Sequence, residues 1–182
     1  LLRGGHRDEA RHAFEEAHEL GGHNLRVNMP LARLLATGGD NERAATLQQW
    51  ALDQLWRSRD KDRLAEAGIF AGQLFERLER LEQARKSYRL VLASHPLDSA
   101  AVLGLARTSM AMGDTDRAQA EFEKIAIRAG SRASTEQRAE AQLGLGLCWK
   151  ARGKPQRART CFKRALELNA KLDRARIELE SI

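Results

Sequence analysis

Four histidines near the start of the chain, His6, His12, His18 and His23, are the first residues whose type could do chemistry. Imidazole nitrogens bind metals and move protons near neutral pH. Steps of six and five residues do not return to one helical face, whereas ligands sharing a turn of helix stand three or four apart. They read as surface histidines. Cys148 and Cys161 have no CxxC spacing and are too few for a disulfide framework. They are expected as small buried thiols on the two antiparallel helices of one pair, and they neither demand nor exclude an oxidising compartment. The paired acids Glu15–Glu16 and Glu121/Glu123 fall on polar helix faces, not in a pocket that would set them as acid and base. HExxH, GxSxG and GxxxxGK[ST] are absent, and Gly144-Leu145-Gly146 sits within a helical pattern, where close helix packing explains it better than phosphate binding. No catalytic residue, metal or cofactor is expected.

A basic run is the remaining candidate. Lys150, Arg152, Lys154, Arg157, Arg159, Lys163 and Arg164 follow one another with no acid between Glu140 and Glu167. Such a run suits nucleic acid or an anionic membrane surface. Helix geometry divides it, because Arg157 and Arg164 lie on one side of an apolar stripe, and Arg159 and Lys163 on the other. Only Arg152, Lys154 and Arg157 form a compact anion patch, and no exposed aromatics interleave with it for base stacking. The net charge of +6 comes from Arg-rich, mixed-sign surfaces, so a solvated basic end is expected, with nucleic acid a less favoured partner than protein.

The elements that carry these residues are helical. With 182 residues and 42% hydrophobic content the chain can bury a core, and Ala, Leu, Arg, Glu and Gln dominate over a few aromatics and three prolines. Those side chains lose little freedom in a helix. No run reaches the roughly 18–20 apolar residues needed to span a membrane.

The helical pattern repeats. From Ala139 to Leu172, Leu145, Gly146 and Trp149 share one face, a turn follows at Arg152–Gly153–Lys154, and Ala158, Phe162 and Ala165 form a second stripe. Units opening at Ser99, Ala65 and Leu25 follow the same grammar, with Ala118 and Phe122, Ala84 and Tyr88, and Ala44 and Leu47 in their second helices. The starts lie 40, 34 and 40 residues apart. The two excesses fall around Arg57–Arg63 and Gly130–Arg138, where longer helices or loops absorb them, Gly130–Ser131 favouring a loop. Pro30 is tolerated only near a helix start, so that start is expected near Asn28 as N-cap. Turns are expected near Gly5, Gly39, Glu79, Gly113 and Gly153.

This grammar resembles the tetratricopeptide repeat family, most clearly in Leu145–Gly146, Trp149, Gly153, Ala158, Phe162 and Ala165. Gln142 and Ala170 depart from its first-helix Trp and closing Pro. The resemblance implies an all-α, right-handed solenoid of antiparallel helix pairs: a half-repeat at 1–24, repeats at 25–64, 65–98, 99–138 and 139–172, and a terminal helix at 173–182. It is expected as one domain and as part of a longer protein.

The resemblance also implies that the fifth, ninth and twelfth residues of each unit face a concave groove. The fifth are Met29, Ile69, Leu103 and Leu143; the ninth are Arg33, Gln73, Arg107 and Leu147; the twelfth are Ala36, Glu76, Met110 and Lys150. An apolar ladder beside Arg33 and Arg107 suits a peptide or helix with apolar anchors and acidic residues. Leu103 is expected to face solvent, and both arginines to lack strong intramolecular partners. The expected function is a non-catalytic protein-binding scaffold. The alternatives are an anion-binding repeat domain using the basic end, and a regulatory segment of a larger signalling or envelope-assembly protein. Nothing in the sequence sets the oligomeric state or the compartment.

Overall fold

The computed structural model describes residues 2–128 and 132–182, and every regular element among them is helical. The chain divides into two compact units, Leu1–His95 and Pro96–Ile182. The first unit holds α1 (Leu2–Glu19), α2 (Leu25–Thr37), α3 (Asn41–Ser58), α4 (Lys61–Arg77) and α5 (Leu81–Ser94), each packed on the next. The second holds α6 (Ser99–Ala111), α7 (Thr115–Glu123), a π-helical turn (Lys124–Arg128), α8 (Thr135–Ala151), α9 (Pro155–Leu168) and α10 (Asp173–Glu180). There too each helix packs on its successor, and α6 also touches α8. No described helix is long and apolar enough to cross a membrane.

Short polar side chains start most of these helices. Asn24, Asp40, Asp60, Asp98, Asp114 and Ser134 each accept a hydrogen bond from a backbone N–H of the first turn, satisfying donors that have no partner within the helix. The expected start at Asn28 is corrected by this rule. Helix α2 begins at Leu25 because Asn24 Oδ1 accepts from Arg26 N and Val27 N at 3.0 and 3.1 Å. Pro30 therefore lies inside α2, in its second turn, where its missing N–H removes a single helical bond. Asn28 is buried instead, its Oδ1 2.8 Å from His18 Nδ1.

The backbone takes positive φ at Gly39, Glu79, Gly113 and Gly153, the expected turns between paired helices. The turn expected at Gly5 does not form, since α1 runs through it; glycine weakens a helix by about 1 kcal/mol but does not by itself end one. The reversal comes at Gly21, with φ +90. The uneven repeat spacing is absorbed largely by helix length. The first helices after each excess, α4 and α8, have 17 residues against 13 for α2 and α6, and each gains its extra turn at the start. The loop expected at Gly130–Ser131 lies outside the described residues.

Small residues on first helices receive large ones from second helices. A Cβ on Gly72 would overlap the ring of Tyr88, and one on Gly146 the ring of Phe162. Gly144 faces the other way, and its Cβ would overlap Phe122 of the preceding pair. Helix α8 thus lies between two aromatic rings, each admitted by one glycine. Phe75, Tyr88, Phe122 and Phe162 are buried, and burial of one such side chain stabilises the fold by about 1.5–3 kcal/mol.

Candidate interaction surface

The first-helix residues singled out for a groove divide by burial. On α2 and α4, Met29 and Ile69 are half-buried, and Arg33 and Gln73 exposed. On α6 and α8, Leu103 and Leu143 are core residues, 2% and 7% exposed, whereas Arg107, Met110 and Leu147 are half-buried and Lys150 is exposed. Ala36 is buried and Glu76 half-buried. The expectation that Leu103 faces solvent is therefore corrected. α6 is buried over most of its length, from Ala101 to Ala106 without interruption, so no side of that stretch is left to a ligand. Leu143 belongs to a cluster with Ala158, Phe162, Ala165 and Ala175.

The arginines are not free either. Arg33 pairs with Glu66 at 2.5 Å and lies 4.9 Å above the Phe70 ring. Arg107 pairs with Glu140, also at 2.5 Å. In both cases the ninth residue of one repeat meets the second residue of the following one, 33 positions later. The sequence carries that signal: an Arg at position nine recurs only where a Glu stands at position two of the next repeat. Lys150 likewise donates to Glu178 Oε2 and Ser181 Oγ, both at 2.7 Å. The first-helix face offers partly exposed ion pairs, not bare cations. Such pairs contribute about 0.2–1 kcal/mol each to folding and stay open to a third charged group.

The three cations grouped at the basic turn share one aromatic partner. Arg152, Lys154 and Arg157 gather around Trp149, with charge centres 5.6, 5.3 and 4.7 Å from its ring centroid. These distances allow cation–π attraction. Arg152 also donates to Asp116 on α7. Trp149, a repeat-pattern residue in the sequence, doubles as the seat of this patch.

The remaining chemical candidates are structural. His18 and His23 rings do meet, 4.4 Å apart edge to face, because the chain reverses at Gly21 between them. Sequence spacing along one helix could not reveal that. His6, His12 and His23 are exposed and His18 half-buried. Among the described residues no three metal-binding side chains converge. Burial raises the Cys148 thiol to about 11, against a smaller lowering by Arg152, and burial also raises Cys161. A thiol held protonated in this way is a poor nucleophile at neutral pH.

Comparison with known proteins agrees with the helix-pair grammar. The tetratricopeptide repeat model matches residues 1–58, 71–110 and 103–173. The fold is similar to MamA (41 to the end) from Desulfovibrio magneticus RS-1, with TM-score 0.73 and 19% identity over 94% of this chain and 90% of that one. It is also similar to BtubC from P. vanneervenii, with TM-score 0.76 and 21% identity over 94% and 76% of the two chains. Pseudomonas aeruginosa pilF gives TM-score 0.69 and 20% identity over 96% and 68%. At these identities the likeness concerns the fold alone. With the family's signature matched over most of its length, the chain belongs to the tetratricopeptide repeat family.

Proposed function

We propose that this chain is a non-catalytic protein-interaction scaffold whose first helices hold a peptide or a helix of a partner. The observation that carries the reading is the surface of α2 and α4. There Met29 and Ile69 are partly exposed on the helices that carry Arg33, Gln73 and Phe70, and the Arg33–Glu66 pair joins the two helices. Met29 and Ile69 supply apolar anchorage, and Arg33 can share its charge between Glu66 and an acidic ligand residue. In the second unit Arg107, Met110, Leu147 and Lys150 play the corresponding part, whereas Leu103 and Leu143 support them from the core.

The test compares the wild-type chain with Ile69→Asp in affinity capture of partner proteins from extract, with helicity and melting followed in parallel. A partner held by the wild type and released by Ile69→Asp at unchanged helicity is the expected outcome. Retention by Ile69→Asp together with a Met29→Asp variant would sink the reading. Leu103→Asp is no test of binding, because it places a charge in the core and is expected to unfold the second unit.

A further inference from the structure

Three turns occupy the same place in their repeats: Gly39–Asp40, Gly113–Asp114 and Gly153–Lys154. At the first two, the aspartate caps the second helix. Asp40 accepts from Arg43 N at 3.2 Å and Asp114 from Arg117 N at 3.1 Å. Each also pairs with the side chain of that arginine, at 3.6 and 3.8 Å. Two residues further on a second acid receives an arginine from the next turn, Glu42 from Arg80 at 2.9 Å and Asp116 from Arg152.

At the third turn both acids are gone. Lys154 and Gln156 stand in their places, although the arginine of the pattern, Arg157, is kept. The backbone follows the sister turns in ψ, 68 at Lys154 against 67 and 72 at Asp40 and Asp114, and is more extended in φ, -111 against -78 and -80. Helix α9 consequently starts with no side-chain cap and no acid in its first turn. A helix N-terminus carries partial positive charge, so Lys154 and Arg157 there oppose it. The fourth turn, Glu79–Arg80, also has a cation at the cap, but Arg80 is matched by Glu42, and Glu82 supplies an acid. Lys154 and Arg157 pair with no carboxylate among the described residues and lean on Trp149 instead. The seven cations between Glu140 and Glu167 exceed the whole chain's net charge of +6, so the rest of the molecule is close to neutral.

We infer that the Gly153–Lys154 turn is a docking point for an acidic segment of a partner protein. Two carboxylates one residue apart would fill the places that Asp40 and Glu42, or Asp114 and Asp116, fill in the sister turns. The inference rests on the reading of the chain as a protein-binding scaffold. The three cations are compact, seated on one indole, and Arg159 is half-buried, which suits a short acidic segment better than an extended nucleic-acid backbone.

The test uses the full chain and a fluorescein-labelled peptide with two aspartates separated by one serine, flanked by glycine and serine, read by anisotropy at low and at physiological salt. Binding should weaken with salt, and should vanish when both aspartates are replaced by asparagine. Lys154→Asp restores the sister-turn cap. It should raise the melting temperature by about 2–4 °C while weakening the peptide by about tenfold or more. Arg157→Gln should weaken the peptide without that rise, and Asp116→Asn, which releases Arg152, should tighten it severalfold. Unchanged affinity in Lys154→Asp would overturn the proposal. So would binding of a 12-residue oligothymidylate, or of vesicles containing phosphatidylglycerol, in place of the peptide. Ile69→Asp should leave this peptide bound. If the peptide never binds while capture through Ile69 persists, this docking point falls and the scaffold reading stands.

Discussion

In the α8–α9 pair the ring of Phe162 fills the room that Gly146 leaves; in the α2–α3 pair the same two repeat positions hold Ala32 and Gln48. Gln48 is as buried as the aromatics, 1% exposed, but it works differently. Its Nε2 donates to the carbonyl of Ala67 on α4 at 3.1 Å, and its Oε1 has no partner among the described residues. An aromatic ring stabilises the helices it touches by area removed from water, within its own pair at Phe162 and toward the following first helix at Phe122. The glutamine instead ties its pair to the following helix by one hydrogen bond and leaves one acceptor dry, which costs about 1–3 kcal/mol. A repeat therefore tolerates loss of its aromatic joint where a polar side chain can reach the neighbouring repeat.

The largest expected effect falls on the aromatic side of this contrast. Phe162→Ala and Phe122→Ala should each destabilise by about 3–5 kcal/mol in urea denaturation, and a loss under about 1 kcal/mol would break the contrast. Gly146→Ala comes next. Its methyl overlaps the Phe162 ring, so overpacking of about 1–3 kcal/mol should outweigh the gain in helix propensity. Ala32→Gly, with no ring to admit, should show only the propensity loss of about 1 kcal/mol. Gln48→Leu is expected to stabilise by about 1 kcal/mol, because it removes the unpaired acceptor together with a single hydrogen bond. If it destabilises instead, the bond to Ala67 is worth more than the dry oxygen costs.

The turns carry a smaller version of the same contrast. Glu79 adopts φ 56 where the sister turns have glycine, and it is exposed. Glu79→Gly should raise stability by about 1 kcal/mol, and Gly113→Ala should lower it by a similar amount, both readable as shifts in thermal midpoint. The smallest effect belongs to the pairs between repeats. A double-mutant cycle on Arg33 and Glu66 should give a coupling of about 0.2–1 kcal/mol that fades with salt.

Which parts of this were legible beforehand depends on how local their causes are. The helices, and the turns at Gly39, Gly113 and Gly153, follow from apolar stripes and glycine within one or two turns of chain, so periodicity and composition determined them. The start of α2 was also a local matter, and Asn24 simply outcompetes Asn28 as a cap. Other features required the pairs to be assembled. Leu103 and Ile69 hold the same repeat position and differ in exposure, because α6 is enclosed where α4 leaves a side open. Arg33 and Arg107 became ion-paired only when residues 33 positions away were brought alongside. His18 and His23 met through a chain reversal, and Arg152, Lys154 and Arg157, grouped at one turn by the sequence, found their common centre on Trp149 only in the folded pair. The sequence by itself determined which segments are helical and where they reverse, since those choices are made by neighbours in the chain. Tertiary structure alone decided which side chains reach solvent and which charges stay unmatched, since both depend on what the neighbouring helices of each unit cover.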